Sequence, residues 1–155
     1  MNRAEKTNIR LRAWRAILKM HATIIPTLDG ELRDEAGMDL QTYDALLHTY
    51  EAGDAGIRMT DLAGNIVLTK SGLTTLVDRL EKRDLLQRVS DPADRRSTRV
   101  SLTARGVETF RSAAPSHLAS IDEHFARRLT DDEAAIIVEA LERVQENTPL
   151  PISER

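Results

Sequence analysis

The 155-residue chain has no cysteine. That absence excludes disulfides, thiolate zinc sites, thiol nucleophiles and thiol-based redox sensing together. Aromatic residues make up only 3% of it, too few for the stacking platforms that hold single-stranded nucleic acid. No apolar run approaches the roughly 20 residues of a membrane helix. The N-terminus, Met1-Asn2-Arg3-Ala4-Glu5-Lys6, is polar with no apolar stretch behind it, so no secretory signal is visible. The expectation is a cytoplasmic protein without a membrane partner. Enzyme motifs are missing too: there is no His-Glu-x-x-His, Gly-x-Ser-x-Gly or Gly-x-Gly-x-x-Gly. Gly64 followed by Lys70-Ser71 is no phosphate loop, because Thr69 stands where the second glycine is required. The chain reads as a non-enzyme that needs no cofactor and no metal.

Net basic charge is also lacking: the chain carries −3. The distribution is uneven, however. Residues 69–99 hold eight basic side chains (Lys70, Arg79, Lys82, Arg83, Arg88, Arg95, Arg96, Arg99) and five acidic ones, a local excess of +3. Such a cluster reads either as a solvated face or as a footprint for polyanions.

Periodicity supplies the framework. Leu11, Trp14, Leu18, His21, Ile25, Leu28 and Leu32 step by 3 and 4, the stripe of a long helix, with Ile17 and Ile24 widening it. That much apolar surface must pack on another helix or another subunit. Pro26 is expected to kink this helix and Gly37 to end it. A second helix, capped by Asp39 or Thr42, carries Tyr43, Leu46, Leu47 and Tyr50 on one face. Ile57-Arg58-Met59 reads as extended, and Thr60 as the cap of a short helix burying Leu62, Ala63 and Ile66. Thr69 caps the next helix, whose Leu73, Leu76, Val77 and Leu80 fall at i, i+3, i+4, i+7. Strands follow over 85–89 and 98–102, joined by the polar Ser90-Asp91-Pro92-Ala93-Asp94-Arg95-Arg96-Ser97. Thr103 caps a long helix with Val107, Phe110, Leu118, Ile121 and Phe125, which Pro115 should bend or break. Thr130 and Glu133 form a capping box before a last helix with Ile136, Ile137, Ala140, Leu141 and Val144 inward. Two short helices and then two strands is the order of a winged helix-turn-helix. The fold class is thus mainly α with a small β wing (α+β).

In a helix-turn-helix the second short helix enters the major groove and its first residues meet base edges. Here these are Thr69, Lys70, Ser71, Thr74 and Thr75, whose ammonium and hydroxyl groups suit phosphates and bases, while Gly72 lets the backbone approach closely. Arg79 and Lys82 lie further along and read as phosphate holders. The basic hairpin tip suits a narrow, electronegative minor groove.

The segments Met59-Thr60-Asp61-Leu62-Ala63, Leu68 through the run ending Asp78-Arg79-Leu80-Glu81-Lys82-Arg83, Asp91-Pro92-Ala93-Asp94-Arg95-Arg96-Ser97 and Val100-Ser101-Leu102-Thr103-Ala104-Arg105-Gly106 resemble the signature of MarR transcription regulators. The resemblance spans residues 59–106. It implies a winged helix-turn-helix over 39–103, flanked by a helical dimerisation region formed by 1–36 and 104–147, with 148–155 a flexible tail. It implies a homodimer on a pseudo-palindromic double-stranded DNA operator, usually as a repressor. It places Asp94 and Arg96 in the wing's Asp-x-Arg, the arginine entering the minor groove beside Arg95. It also implies release by a small aromatic or phenolic ligand held between the two regions. Thr75 departs from the family, which often has a basic residue there, so contacts at this position should be weaker.

Trp14, Leu18 and His21 share one helix face, and Tyr43, Leu47, Tyr50 and Phe110 offer a facing wall, so these seven are the candidate effector site. The blander reading makes all seven core or dimer packing. Two rival readings remain. His117, His124, Asp122 and Glu123 suggest a zinc-responsive regulator of the same fold, although the two histidines are too far apart to share one metal unaided. The other is a helical protein-interaction domain that does not bind DNA.

Overall fold

The computed structural model describes residues 8–66, 70–90 and 98–146. The expected cap Thr69, the hairpin tip with Asp94, Arg95 and Arg96, and the expected tail 148–155 lie outside the described residues. The order is α1 (Ile9–Ala36), α2 (Leu40–Glu51), a 3-10 turn (Gly53–Ala55), β1 (Ile57–Arg58), α3 (Met59–Asn65), α4 (Lys70–Lys82), β2 (Leu86–Ser90), β3 (Thr98–Leu102), α5 (Ala104–His124), a second 3-10 turn (Ala126–Arg128) and α6 (Asp131–Glu146).

Local chemistry explains most of these boundaries. The Asn8 side chain caps α1 by accepting from the Arg10 and Leu11 N–H groups, at 3.0 and 3.4 Å. Gly37 closes α1, its N–H bonded to the Arg33 carbonyl at 3.1 Å. Asp39 caps α2 through the Thr42 N–H at 2.8 Å, and Thr103 caps α5 through the Gly106 N–H at 3.0 Å. The capping box is reciprocal: Thr130 N–H donates to Glu133 at 2.9 Å, and Glu133 N–H to the Thr130 hydroxyl at 3.3 Å.

The sheet is antiparallel with strand order β1-β3-β2. Ile57 pairs with Val100, and Leu86, Arg88 and Ser90 pair with Leu102, Val100 and Thr98. Gly56 lets β1 enter this sheet: its φ is +67°, and a Cβ there would lie 2.5 Å from the Val100 carbonyl oxygen. The core lies between α2, α3, α4 and the sheet, built on Leu46, Leu62, Leu73, Val77, Leu80, Leu86 and Val100. Leu32 from the end of α1 and Phe110 and Ala113 from α5 join it.

Four expectations are corrected. Pro115 does not interrupt its helix, because α5 runs through it to His124; α1 likewise continues through Pro26. Proline's φ suits a helix, and both prolines lie on exposed faces of their helices. Thr60 is not a cap. Helix α3 starts at Met59, directly after Arg58 leaves β1, and the Thr60 hydroxyl bonds Asp61 instead, at 3.1 Å. Strand β2 starts at Leu86, because the Leu85 N–H is taken by the Leu80 carbonyl at 2.9 Å. Finally, no residue of α6 is buried, so the expected inner face of Ile136, Leu141 and Val144 is uncovered in the protomer. The N-terminal half of α1 is uncovered likewise. Among the described residues no helix is long and apolar enough to cross a membrane.

Candidate nucleic-acid interface

Helix α4 is strongly two-faced. Leu73, Leu76, Val77 and Leu80 are buried, as their spacing predicts. Ser71, Thr74, Thr75, Asp78, Arg79 and Lys82 are exposed on the other face. Four aliphatic side chains sealed against the core hold the helix there and leave its row of hydroxyl and charged groups facing outward. The Thr75 hydroxyl donates to the Ser71 carbonyl at 3.0 Å, so its proton is spent inside the helix. Lys70 opens the helix.

Three of the basic side chains counted in the sequence are bound to protein groups. Arg88 of β2 reaches Asp78 at 2.6 Å and also pairs with Glu81, both on α4. This three-residue clamp fixes the base of the β2–β3 hairpin to α4. Arg99 of β3 donates to the Gly56 carbonyl at 2.9 Å, tying β3 to the turn before β1. Arg79 donates to Asp39 at 3.0 Å and to the Thr42 hydroxyl at 3.2 Å. Burial opposes the charge on Asp39, but the Thr42 hydroxyl and N–H, with Arg79, hold its carboxyl below the usual carboxylate range. Sequence spacing marks Asp39 only as a cap and assigns Asp78 and Glu81 no partner. Their partners lie on other elements, and helix periodicity carries no signal of them.

The seven candidate effector residues separate into two groups. Tyr43, Tyr50 and Phe110 come together: ring centroids are 5.5 Å apart for Tyr43–Phe110 and 4.8 Å for Tyr50–Phe110. Leu47 packs beside the same core. Arg111 donates to the Tyr50 hydroxyl at 3.1 Å. Trp14, at 56% exposure, and Leu18 and His21 lie on the exposed half of α1, outside that cluster. His117 joins it instead, with its ring 4.2 Å from that of Tyr43. It falls on the buried stripe Phe110, Ala113, His117, Ser120 of α5, whose steps of 3, 4 and 3 are a sequence signal for it. His124 turns the other way and binds Glu31 of α1 at 2.7 Å. The two histidines thus have separate partners, and among the described residues no three His, Asp or Glu side chains gather as a metal site.

His117 is 6% exposed, and its Nδ1 is buried with no hydrogen-bond partner among the described residues. Burial pushes its pKa below the ordinary value. In the unfolded chain histidine takes a proton near pH 6.5. Below that pH the unfolded state binds the extra proton, so stability falls as pH falls. Melting temperature should therefore drop between pH 7 and 5, and His117→Phe, which keeps a ring against Tyr43, should flatten that drop. An unchanged slope in the variant would assign the pH dependence to other groups.

Comparison with known proteins agrees with this architecture. A family model described as MarR family matches residues 36–97. The HTH-type transcriptional regulator YsmB of Bacillus subtilis is 31% identical over 128 residues, covering 83% of this chain and 86% of that one. AbsC, a MarR family transcriptional regulator from Streptomyces coelicolor, superposes with a TM-score of 0.82 at 31% identity, over 90% of this chain and 94% of its own. The chain belongs to the MarR family. It is a transcriptional regulator with the winged helix-turn-helix fold of that family. Another MarR regulator of S. coelicolor, Sco3205, was solved in complex with DNA; it has a TM-score of 0.81 at 30% identity, over 90% of this chain and 87% of its own.

Proposed function

We propose that this MarR-family regulator works as a homodimeric repressor on a pseudo-palindromic duplex operator and is released by a small aromatic or phenolic effector. The observation that carries the reading is the division of α4. One face is locked into the core, and the other presents Ser71, Thr74 and Thr75 from its first turns. The reading adds Thr69 and Lys70 as further major-groove contacts and assigns the minor-groove contact to the wing residues Asp94, Arg95 and Arg96. Two-fold protein symmetry imposes two-fold site symmetry, with half-sites about one helical turn apart.

Selection of bound duplexes from a random pool tests this directly. The expected product is an inverted repeat. Thr74→Ala or Ser71→Ala should then change the preferred bases, by about 1–3 kcal/mol per affected pair. Recovery of only asymmetric or single-stranded sites would remove the reading.

The effector site is proposed at the Tyr43, Leu47, Tyr50 and Phe110 wall. Trp14, Leu18 and His21, exposed in the protomer, would form the opposite wall once two copies pair. A ligand regulates DNA binding only through a preference for one spacing of the two recognition helices. A tenfold effect on affinity needs about 1.4 kcal/mol, which one or two hydrogen bonds supply. Trp14 is the only tryptophan, so its fluorescence reports binding of phenolic and carboxylate aromatics.

A further inference from the structure

Arg79 lies in the last turns of α4 and is where the sequence suggested a phosphate contact. Its Nη2 instead makes three contacts with α2: Asp39 Oδ2 at 3.0 Å, Asp39 Oδ1 at 3.4 Å and Thr42 Oγ1 at 3.2 Å. Both acceptors are anchored. Thr42 is buried, and the Asp39 carboxylate accepts the Thr42 N–H at 2.8 Å as the cap of α2. The next backbone group, the Leu40 N–H, donates to Asp29 of α1 at 2.8 Å, and Asp29 also holds Arg33 at 2.8 Å. The arginine therefore ends a chain of directed bonds that runs from α1 through the head of α2 to α4.

The rest of the α4 contact is aliphatic except for the Arg88 clamp, which ties Asp78 and Glu81 to β2. Hydrophobic contact is non-directional, so by itself it limits tilt and rotation of the helix weakly. A charge-assisted hydrogen bond has a fixed length and direction. Arg79 also lies eight residues from Ser71, about 12 Å along the axis. A tilt of about 5° pivoting at Arg79 would move the base-reading end by about 1 Å over that length, enough to spoil a hydrogen bond. A carboxylate beside the guanidinium also disfavours an incoming phosphate.

We infer that Arg79 and Asp39 form a strut that sets the angle at which α4 presents Ser71 and Thr74 to DNA. Arg79 is then a positioning residue rather than a phosphate ligand. The inference rests on α4 being the DNA-reading helix, and the test separates the two ideas.

The strut and the phosphate contact predict opposite results for one substitution. Asp39→Asn keeps a good N-cap and the same size but removes the charge. Binding of the full-length protein to its selected operator, and to a panel of single-base variants of it, would be followed by fluorescence anisotropy over a range of salt. For a strut, Arg79→Ala and Asp39→Asn each weaken operator binding about tenfold. Each also narrows discrimination across the panel and leaves the salt slope unchanged, and the double variant is no worse than either single. Arg79→Lys, which keeps the charge but loses the fork, behaves like alanine. The inference is overturned if Asp39→Asn tightens binding while Arg79→Ala shallows the salt slope by about 1, the signature of a lost phosphate contact. It is equally overturned if the variants only melt earlier and keep wild-type base preference. Failure of the wild-type protein to bind any selected duplex would instead remove the DNA-reading role of α4 itself.

Discussion

Replacing Ile136 with glutamate is expected to split the protein into monomers and to abolish tight operator binding. Ile136 is 66% exposed and Val144 61% exposed on α6, although both belong to the apolar stripe of that helix. Leu118 on α5 and Leu11, Trp14 and Leu18 on α1 are uncovered in the same way. An apolar surface spread over three helices is typical of an obligate interface, which buries more than about 2,000 Å². Glutamate at Ile136 would place an unpaired charge inside such an interface, which association energy cannot offset. Light scattering should give twice 17.4 kDa for the wild type and 17.4 kDa for the variant. A monomer reads one half-site only. Losing the second, effectively intramolecular, contact should reduce operator affinity by about 10²- to 10⁴-fold. A variant that remains dimeric would locate the interface elsewhere, and a wild type of 17.4 kDa at micromolar concentration would rule out the dimer.

Gly106→Ala should be the most damaging small substitution in the winged region. Gly106 is buried in the first turn of α5, where the sheet hands over to the helix. A Cβ there would stand 2.0 Å from the Leu85 carbonyl oxygen and 3.0 Å from the Leu102 side chain. The obstacle is backbone, so the helix itself must move. That same carbonyl accepts the Thr103 N–H at 3.1 Å, and the Thr103 hydroxyl donates to the Asp84 carbonyl at 2.6 Å while accepting from Gly106. Displacing α5 therefore strains the whole junction. Overpacking of this kind costs about 3 kcal/mol. In a chain of this size that lowers Tm by roughly 6–12 °C. Gly64→Ala is the internal control: it lies in α3 with nothing within 4 Å of its Cβ position. There alanine should stabilise by up to about 1 kcal/mol, because glycine is the poorer helix former. Thermal denaturation of both variants gives the comparison, and equal small effects would show that the junction relaxes freely.

Several features were legible because they depend on near neighbours. Asp39, Thr103 and the Thr130–Glu133 pair cap helices through groups three residues away, and each appears where the sequence places it. The short run 98–102, read as a strand, forms β3 at those bounds. The i, i+3, i+4, i+7 spacing of Leu73, Leu76, Val77 and Leu80 identifies the buried side of α4, and hence its outward side as the candidate DNA surface. The strongest link to the MarR family lies in the same stretch.

The remainder depended on which elements meet. Spacing tells which side chains share a face but not what covers that face, so α6 read as an inner helix although the protomer leaves it open. Pro115 read as an interruption, although α5 continues through it on an exposed face. Arg79 read as a ligand for phosphate because its carboxylate partner lies 40 residues away on α2, a separation at which sequence carries no pairing signal. Arg88 and Arg99 gave the same impression of loose positive charge, yet the sheet brings them to Asp78, Glu81 and the Gly56 carbonyl. The sequence by itself thus determined the order of the helices, the caps at Asp39, Thr103 and Thr130, and the sided character of α4, since these follow from residues within one or two turns. Only the tertiary structure decided which charges point at solvent and which are spent inside, because a salt bridge between elements exists only once the chain has folded.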